Sequence, residues 1–359
     1  MQYTSVDQQL AAQFGSYILP GRITDPQRGL DEAKQLEELG LGSAWLSERY
    51  ALKEPAVACG AITQLTSKID IVGTFYCHMR HPVVTASIAN MLHALSGERF
   101  GMLLAKAIKP FFDALGMGPI TFKMQSDFID IMHRLWRGET VNYKGILGEF
   151  PKMRLTDYYQ GSAPPIYLTA IGPKSLAFAG QHADGVLLHP LLTCEAVKRS
   201  VAIVREAAER AGRRADTVKI WANVVASPDL PLEQEAAVVG GRAITYLQAP
   251  ALGDVIVEAN GWDKTYLDNI RNHPLMASLG KTTADQGLAK EQLIELAQEI
   301  PNEWLVEGNA LGTSKQCAGR LMDYIASGAD AILLHGSAPS EMALMVAALR
   351  NEIAGAFKK

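Results

Sequence analysis

The sequence predicts a single closed (β/α)8 barrel over residues 1–359, and three observations carry that prediction. Short β-rich runs alternate with amphipathic helical segments, the pattern of βαβ units around a parallel sheet. The runs number eight, and the first is followed by Pro20-Gly21-Arg22. An open doubly wound sheet usually places a G-x-G-x-x-G turn there instead. Finally, Ala183-Asp184-Gly185-Val186-Leu187-Leu188-His189 is echoed by Ala329-Asp330-Ala331-Ile332-Leu333-Leu334-His335. Both segments read as a helix end followed by a buried strand that stops at histidine.

The elements follow in order. Tyr17-Ile18-Leu19 ends the first strand. Asp25-Pro26 reads as N-cap and first helical residue, because aspartate accepts free N–H groups and proline tolerates the first turn. Leu30, Ala33, Leu36 and Leu39 give that helix its apolar face, and Gly40 stops it. A second strand covers Ser43 to Ser47, then a helix Pro55 to Thr66 and a strand Ile69 to Thr74 that runs into Phe75-Tyr76-Cys77-His78. A helix from about Val83 to Ser96 is closed by Gly97. Phe100 to Leu104 is the fourth strand and Met124 to Arg137 the next helix. Val141 to Arg154 breaks the rhythm, and Gly145, Gly148 and Pro151 mark it as a loop or hairpin excursion. Later strands fit Ile166 to Thr169, Gly185 to Leu188, Val218 to Val225 and Ala331 to Leu334, with a helix opened by Gly172-Pro173. Residues 228–312 are too long for an ordinary βα loop. Helical stretches at Glu233 to Leu247 and Lys290 to Glu299 make this an insertion expected to cover the barrel mouth.

Composition excludes several classes. With 34 basic and 38 acidic residues the formal charge is −4, which argues against a nucleic-acid binder, a class that shows a basic face or stripe. Hydrophobic residues make up 48% and charged residues 20%, enough for a full core. No apolar stretch approaches the ~18 residues of a membrane span. The polar start from Met1 to Gln13 lacks a secretory signal. Cys59, Cys77, Cys194 and Cys317 are scattered without a C-x-x-C pair, which fits a reduced cytoplasm.

Strand ends hold the candidate chemistry. His78, His189 and His335 fall at the C-terminal ends of separate strands and Glu48-Arg49 at another, ends that converge on one pocket in a barrel. Histidine suits proton transfer near neutrality, and Glu48 can tune a neighbour or bind an alcohol. Three histidines and a glutamate also suit zinc or iron, although no H-x-x-x-H or H-x-H spacing anchors a metal. Thr169-Ala170-Ile171-Gly172-Pro173-Lys174-Ser175 reads as an anion site. Small residues let the backbone approach closely, and the N–H groups of a helix start face a phosphate, helped by Lys174 or Ser175. An ordinary βα turn has the same pattern. Phe75, Tyr76 and Trp221 suit a flat ring system or the core.

Several segments together resemble the luciferase-like flavin and deazaflavin oxidoreductases, most of all their probable F420-dependent subgroup. They are Tyr17 to Arg22, Gly42 to Arg49, Arg80 to Ala86, Phe111 to Gly116, Leu135 to Thr140, Ala170 to Leu176 and Leu311 to Ser314. The resemblance runs from about residue 15 to the C-terminus. It implies an insertion-bearing barrel, often a homodimer, with F420 or FMN in the barrel mouth. It implies that Thr74, Phe75 and Tyr76 lie at the cofactor ring, with a non-proline cis peptide at Phe75-Tyr76. It places the cofactor phosphate at Ala170, Ile171, Gly172, Pro173 and Ser175. The acidic and basic pair ending strand two, often Asp-His in F420-dependent dehydrogenases, is Glu48-Arg49 here, and arginine does not replace histidine as a base.

Strand four departs further from the family. Relatives show G-L-G-x-G after an Arg-Phe pair, whereas this chain has Gly101-Met102-Leu103-Leu104-Ala105-Lys106-Ala107 after Arg99-Phe100. Leu103, Ala105 and Ala107 therefore narrow the expected ring site, and Lys106 stands as a point charge in place of arginine. The resemblance implies an oxidoreductase that moves a hydride between F420 and a small organic substrate; taken with the strand-end positions and the cysteine usage, the expectation is a cytoplasmic enzyme with catalytic Glu48, Arg49, His78 and His189. Its rivals are an FMNH2-dependent monooxygenase served by a separate flavin reductase, a non-catalytic member that binds a flavin-like ligand, and a metal-dependent hydrolase.

Overall fold

The computed structural model describes residues 3–48, 52–106, 112, 115–279 and 282–357. Eight parallel strands close into a ring. They are β1 (Phe14–Tyr17), β2 (Ser43–Leu46), β3 (Asp70–Phe75), β4 (Phe100–Leu104), β7 (Ile166–Ala170), β8 (Gly185–Leu188), β9 (Lys219–Pro228) and β11 (Ala331–Gly336). In sequence order each pairs with the next, and β11 returns to β1. The predicted (β/α)8 barrel is therefore present. β5 (Val141–Gly145) and β6 (Gly148–Met153) form an antiparallel hairpin outside the ring, where the sequence showed an excursion. A short β10 (Ala310–Gly312) pairs with the extended end of β9, a strand the sequence reading did not anticipate.

Local chemistry sets the helix ends. Thr121, Thr193 and Thr313 each accept a hydrogen bond from the N–H three residues on, starting the helices Phe122–Trp136, Cys194–Arg210 and Ser314–Ala326. The first barrel helix begins at Gln27, one residue later than predicted. Pro26 is its cap and Asp25 accepts the Gln27 N–H at 2.9 Å. Gly40 ends that helix with φ 80°, a left-handed conformation that glycine adopts without a Cβ penalty. At Gly42 a Cβ would stand 1.7 Å from the Ala11 carbonyl oxygen, so only glycine fits.

The internal echo has a structural cause. Asp184 donates its N–H to the Ile166 carbonyl, and its carboxylate accepts the Ile166 N–H, both at 2.8 Å. Asp330 makes the same pair with Ile220, at 2.9 and 2.7 Å. Each aspartate thus staples the start of a neighbouring strand at the barrel's lower end.

Inside the ring, Trp45 packs against Trp221 and Tyr167 with ring centres 5.1 and 5.3 Å apart. With Val72, Leu103 and Leu333 they fill the barrel below the strand ends. Segment 228–312 is largely helical and has an apolar core of its own around Ile244, Leu247, Ile256 and Ile270. Among the described residues no helix is long and apolar enough to cross a membrane.

Candidate active site

A cavity of about 1100 Å³ opens at the C-terminal ends of the strands. Its wall takes residues from all eight barrel strands or the loops directly after them. Glu48, Thr74, Tyr76, Lys106, Ala170, Ile171, Ser175 and His189, all candidates from the sequence, line it. Phe75 does not. In β3 the side chains alternate, so Thr74 and Tyr76 face inward while Phe75 turns outward, beneath the Arg80 guanidinium at 5.2 Å. Trp221 belongs to the plug below the cavity and not to its wall. Among the described residues every peptide bond is trans, Phe75–Tyr76 included, in contrast to the expected cis bond. Arg49 and Ala107 lie outside the described residues.

Glu48, at the end of β2, is buried, and Arg80 donates to its Oε1 at 2.6 Å. Burial raises the Glu48 carboxyl above its ordinary range, and the Arg80 guanidinium opposes that rise without cancelling it. Arg80 also reaches Glu54 at 2.7 Å. Glu54 uses its other oxygen to accept the Val57 N–H and cap the helix Pro55–Leu65. The following His81 and Pro82 open the helix Pro82–Leu95, so the segment Arg80-His81-Pro82 ties three elements to the carboxylate.

The histidines separate. His189 packs edge-on to Tyr246, and its Nδ1 lies 2.8 Å from the Pro190 carbonyl. That oxygen can only accept, so Nδ1 carries the proton and Nε2 presents a lone pair. Burial pulls the His189 imidazole down to about 4, which keeps it neutral. His335 also lines the cavity, its ring 4.9 Å from Tyr17. His78 does not. Beyond the end of β3 the chain turns away, and His78 Nε2 meets the Gly118 carbonyl at 3.0 Å while its ring rests on Phe112. Among the described residues no three His, Cys, Asp or Glu side chains gather as a metal site.

Two cationic features were partly foreseen. Lys106 Nζ lies 3.4 Å above the Phe122 ring, and burial pulls its ammonium down to about 8. In the turn after β7, Ser175 Oγ accepts the Ile171 N–H at 3.1 Å and donates to the Gly172 carbonyl at 2.9 Å. This bracing shapes the start of the helix Pro173–His182. Gly172 and Pro173 themselves stand outside the cavity wall, because the chain has already turned into that helix.

Sequence reasoning missed the clamps around the mouth. Leu19 sits in a left-handed conformation, φ 54°, a position costly for a branched side chain. Glu32 accepts its N–H at 2.5 Å, and Lys53 donates to its carbonyl at 2.6 Å. Arg22 reaches across to the Asp285 carbonyl at 2.7 Å, joining the β1 loop to segment 228–312. That segment also places Arg242 and Tyr246 in the wall. No local motif marks these residues: Leu19, Glu32 and Lys53 meet only in the folded loops after β1 and β2, and Arg242 and Tyr246 reach the wall from the distant segment 228–312.

Comparisons with known proteins agree with this geometry. The luciferase-like monooxygenase family model matches residues 8–331. The 5,10-methylenetetrahydromethanopterin reductase of Methanopyrus kandleri is 26% identical over 304 residues, covering 79% of this chain and 83% of that protein. The solved coenzyme F420 dependent tetrahydromethanopterin reductase from Methanopyrus kandleri superposes with a TM-score of 0.79 at 20% identity, over 95% of this chain and 99% of that one. The EDTA monooxygenase from Chelativorans sp. BNC1 superposes with a TM-score of 0.66 at 17% identity, over 97% and 94%. At these identities the two superpositions show a shared fold.

Proposed function

The chain belongs to the luciferase-like monooxygenase family, and on that premise we propose that it is an F420-dependent oxidoreductase acting on a small organic substrate. The observation that carries this reading is the strand-end cavity, which joins a largely apolar wall to cationic charge at Lys106 and a braced helix start at Ser175. Its volume suits a cofactor together with a substrate. The similarity to a methylenetetrahydromethanopterin reductase, and to the solved tetrahydromethanopterin reductase described as coenzyme F420 dependent, supports the choice of F420 over FMN.

F420 supplies hydride chemistry when bound. Lys106 and the first-turn N–H groups of the helix Pro173–His182 would hold its anionic groups. Thr74, Tyr76 and Ala105 would flank its ring. Burial raises the Glu48 carboxyl and Arg80 fixes it in place as a carboxylate that can take up a proton from the substrate. His189 offers Nε2 as an acceptor for a substrate hydroxyl.

We read residues 228–312 as an insertion of one barrel domain that covers the mouth, since Arg242, Tyr246, Leu252 and Asp285 stand in the cavity wall. We assign a second copy of the chain to the face formed by the helices Pro55–Leu65 and Pro82–Leu95. Val57, Leu65, Val84, Met91 and Leu95 are exposed there, on helices that already bury their opposite sides. The cytoplasm suits its four unpaired thiols.

A binding titration against F420, reduced F420, FMN and reduced FMN tests the reading. F420 in either state should bind at least about tenfold tighter than FMN, a gap of ~1.4 kcal/mol. The reverse order would favour a monooxygenase fed by a separate flavin reductase. Binding of neither would overturn both readings.

A further inference from the structure

Four cationic side chains line the cavity: Arg22, Lys53, Lys106 and Arg242. Two are engaged by backbone oxygens. Arg22 donates to the Asp285 carbonyl, and Lys53 donates to the Leu19 and Gly21 carbonyls, both at 2.6 Å. Lys106 lies against the Phe122 ring and, in the function proposed above, meets the cofactor. Arg242 is different. Among the described residues it has no hydrogen bond, ion pair or ring partner, although it is half-buried in the cavity wall.

Its placement is built into the fold. Arg242 belongs to the helix Gly241–Leu247, which follows a π-helical turn over Ala236–Gly240. Such turns are rare and gather at functional sites. Ala243, Ile244 and Leu247 bury one side of this helix in the core of segment 228–312. Arg242 and Tyr246, four residues apart and so on one face, are left to the cavity. Tyr246 is seated on His189, with ring centres 4.7 Å apart. Two carboxylates stand in the same wall: Glu48 is already paired with Arg80, and neither it nor Asp285 forms an ion pair with Arg242.

A guanidinium with no counter-ion, next to an aromatic wall, is suited to a planar oxyanion that it can grip with two parallel N–H bonds. We propose that Arg242 is a specificity-determining residue that receives a carboxylate on the organic substrate, with Tyr246 flanking the group that bears it. The inference rests on the F420-dependent reading only in treating the cofactor's charge as held elsewhere. It selects anionic substrates over neutral ones of the same shape.

The test uses benzoate and its neutral counterpart benzamide as probes on F420-loaded protein, followed by ligand-observed NMR. Benzoate should bind roughly tenfold or more tightly than benzamide, as a charge-assisted pair warrants. Arg242→Gln should remove that preference while leaving F420 affinity unchanged, and Arg242→Lys should recover part of it. An unchanged benzoate preference in Arg242→Gln overturns the proposal. So does a loss of F420 affinity with the preference intact, because Arg242 would then serve the cofactor. A wild-type chain that ignores F420 yet keeps an Arg242-dependent preference for benzoate overturns the proposed function and supports this inference.

Discussion

The Arg80 guanidinium stands 2.6 Å from the Glu48 carboxylate and supplies the only ion pair Glu48 makes among the described residues. The dependence is one-sided, because Arg80 keeps Glu54 as a second partner at 2.7 Å. Arg80→Met should therefore strand a buried carboxylate, lowering stability by about 3–5 kcal/mol in chemical denaturation. Glu48→Gln should be tolerated structurally while lowering turnover. Losing the cation also pushes the Glu48 carboxyl further up, so the acid limb of the activity profile should move to higher pH in Arg80→Met. Equal destabilisation by both substitutions would show that the pair is not one-sided.

Lys106 makes a prediction with a definite sign. Burial holds its ammonium at about 8, so it is charged below that pH and neutral above it. Affinity for anionic F420 should be steady in acid and fall as pH rises through about 8. A bound anion favours the charged form and moves the fall upward. Lys106→Met should bind more weakly and lose the pH dependence. A series of titrations spanning pH 8 decides it.

Ser175 braces the turn after β7 through the Ile171 N–H and the Gly172 carbonyl. Ser175→Ala leaves that N–H unpaired and the helix start looser. The expected result is a loss of about 1 kcal/mol in stability and weaker F420 binding. Thermal melts and titration measure the two effects separately. Unchanged F420 affinity would remove this turn from the cofactor site.

Val84, Met91 and Leu95 lie along one exposed side of the helix Pro82–Leu95. A helix that is apolar on both sides calls for a partner on each. Met91→Glu places a charge in the middle of that stripe. Light scattering after size exclusion should show the wild-type chain as a dimer and the variant as a monomer with an unchanged melting profile. A monomeric wild type would refute the assignment.

The sequence disclosed what is periodic or local. The echo at Asp184 and Asp330 is legible because each aspartate serves the adjacent strand in the same way. Glu48 and His189 reach the cavity wall because a strand end in a barrel faces the mouth. Phe75 is expected at the ring but points away from it, because alternation along β3 gives Thr74 and Tyr76 to the interior and sends the residue between them outward. His78 leaves the mouth because the chain turns after β3, which no residue type announces. Arg242 was out of reach of sequence reasoning. Its position depends on how residues 228–312 fold back over the strands.

Strand four yields the last prediction. Leu103 pairs in register with Thr74, and the Ala105 N–H bonds to the Phe75 carbonyl at 3.1 Å. Leu103 and Ala105 both line the cavity, beside the residues assigned to the cofactor ring. Where the family resemblance leads to an expectation of glycine, these side chains add carbon to a wall that a flat ring must approach closely. One or two added methylenes in a snug wall cost ~1–3 kcal/mol, or about ten- to two-hundred-fold in affinity. The protein should therefore purify without a bound cofactor and take up oxidised FMN weakly. Converting Ala105 and Ala107 together to glycine should strengthen FMN binding by at least about tenfold, the low end of that range. The measurement is a fluorescence titration of both proteins, with absorbance checked at purification. Yellow protein carrying stoichiometric FMN, or a double variant that binds no better, would show that strand four does not crowd the ring, and Lys106 would then be the residue of that strand left to tune the site.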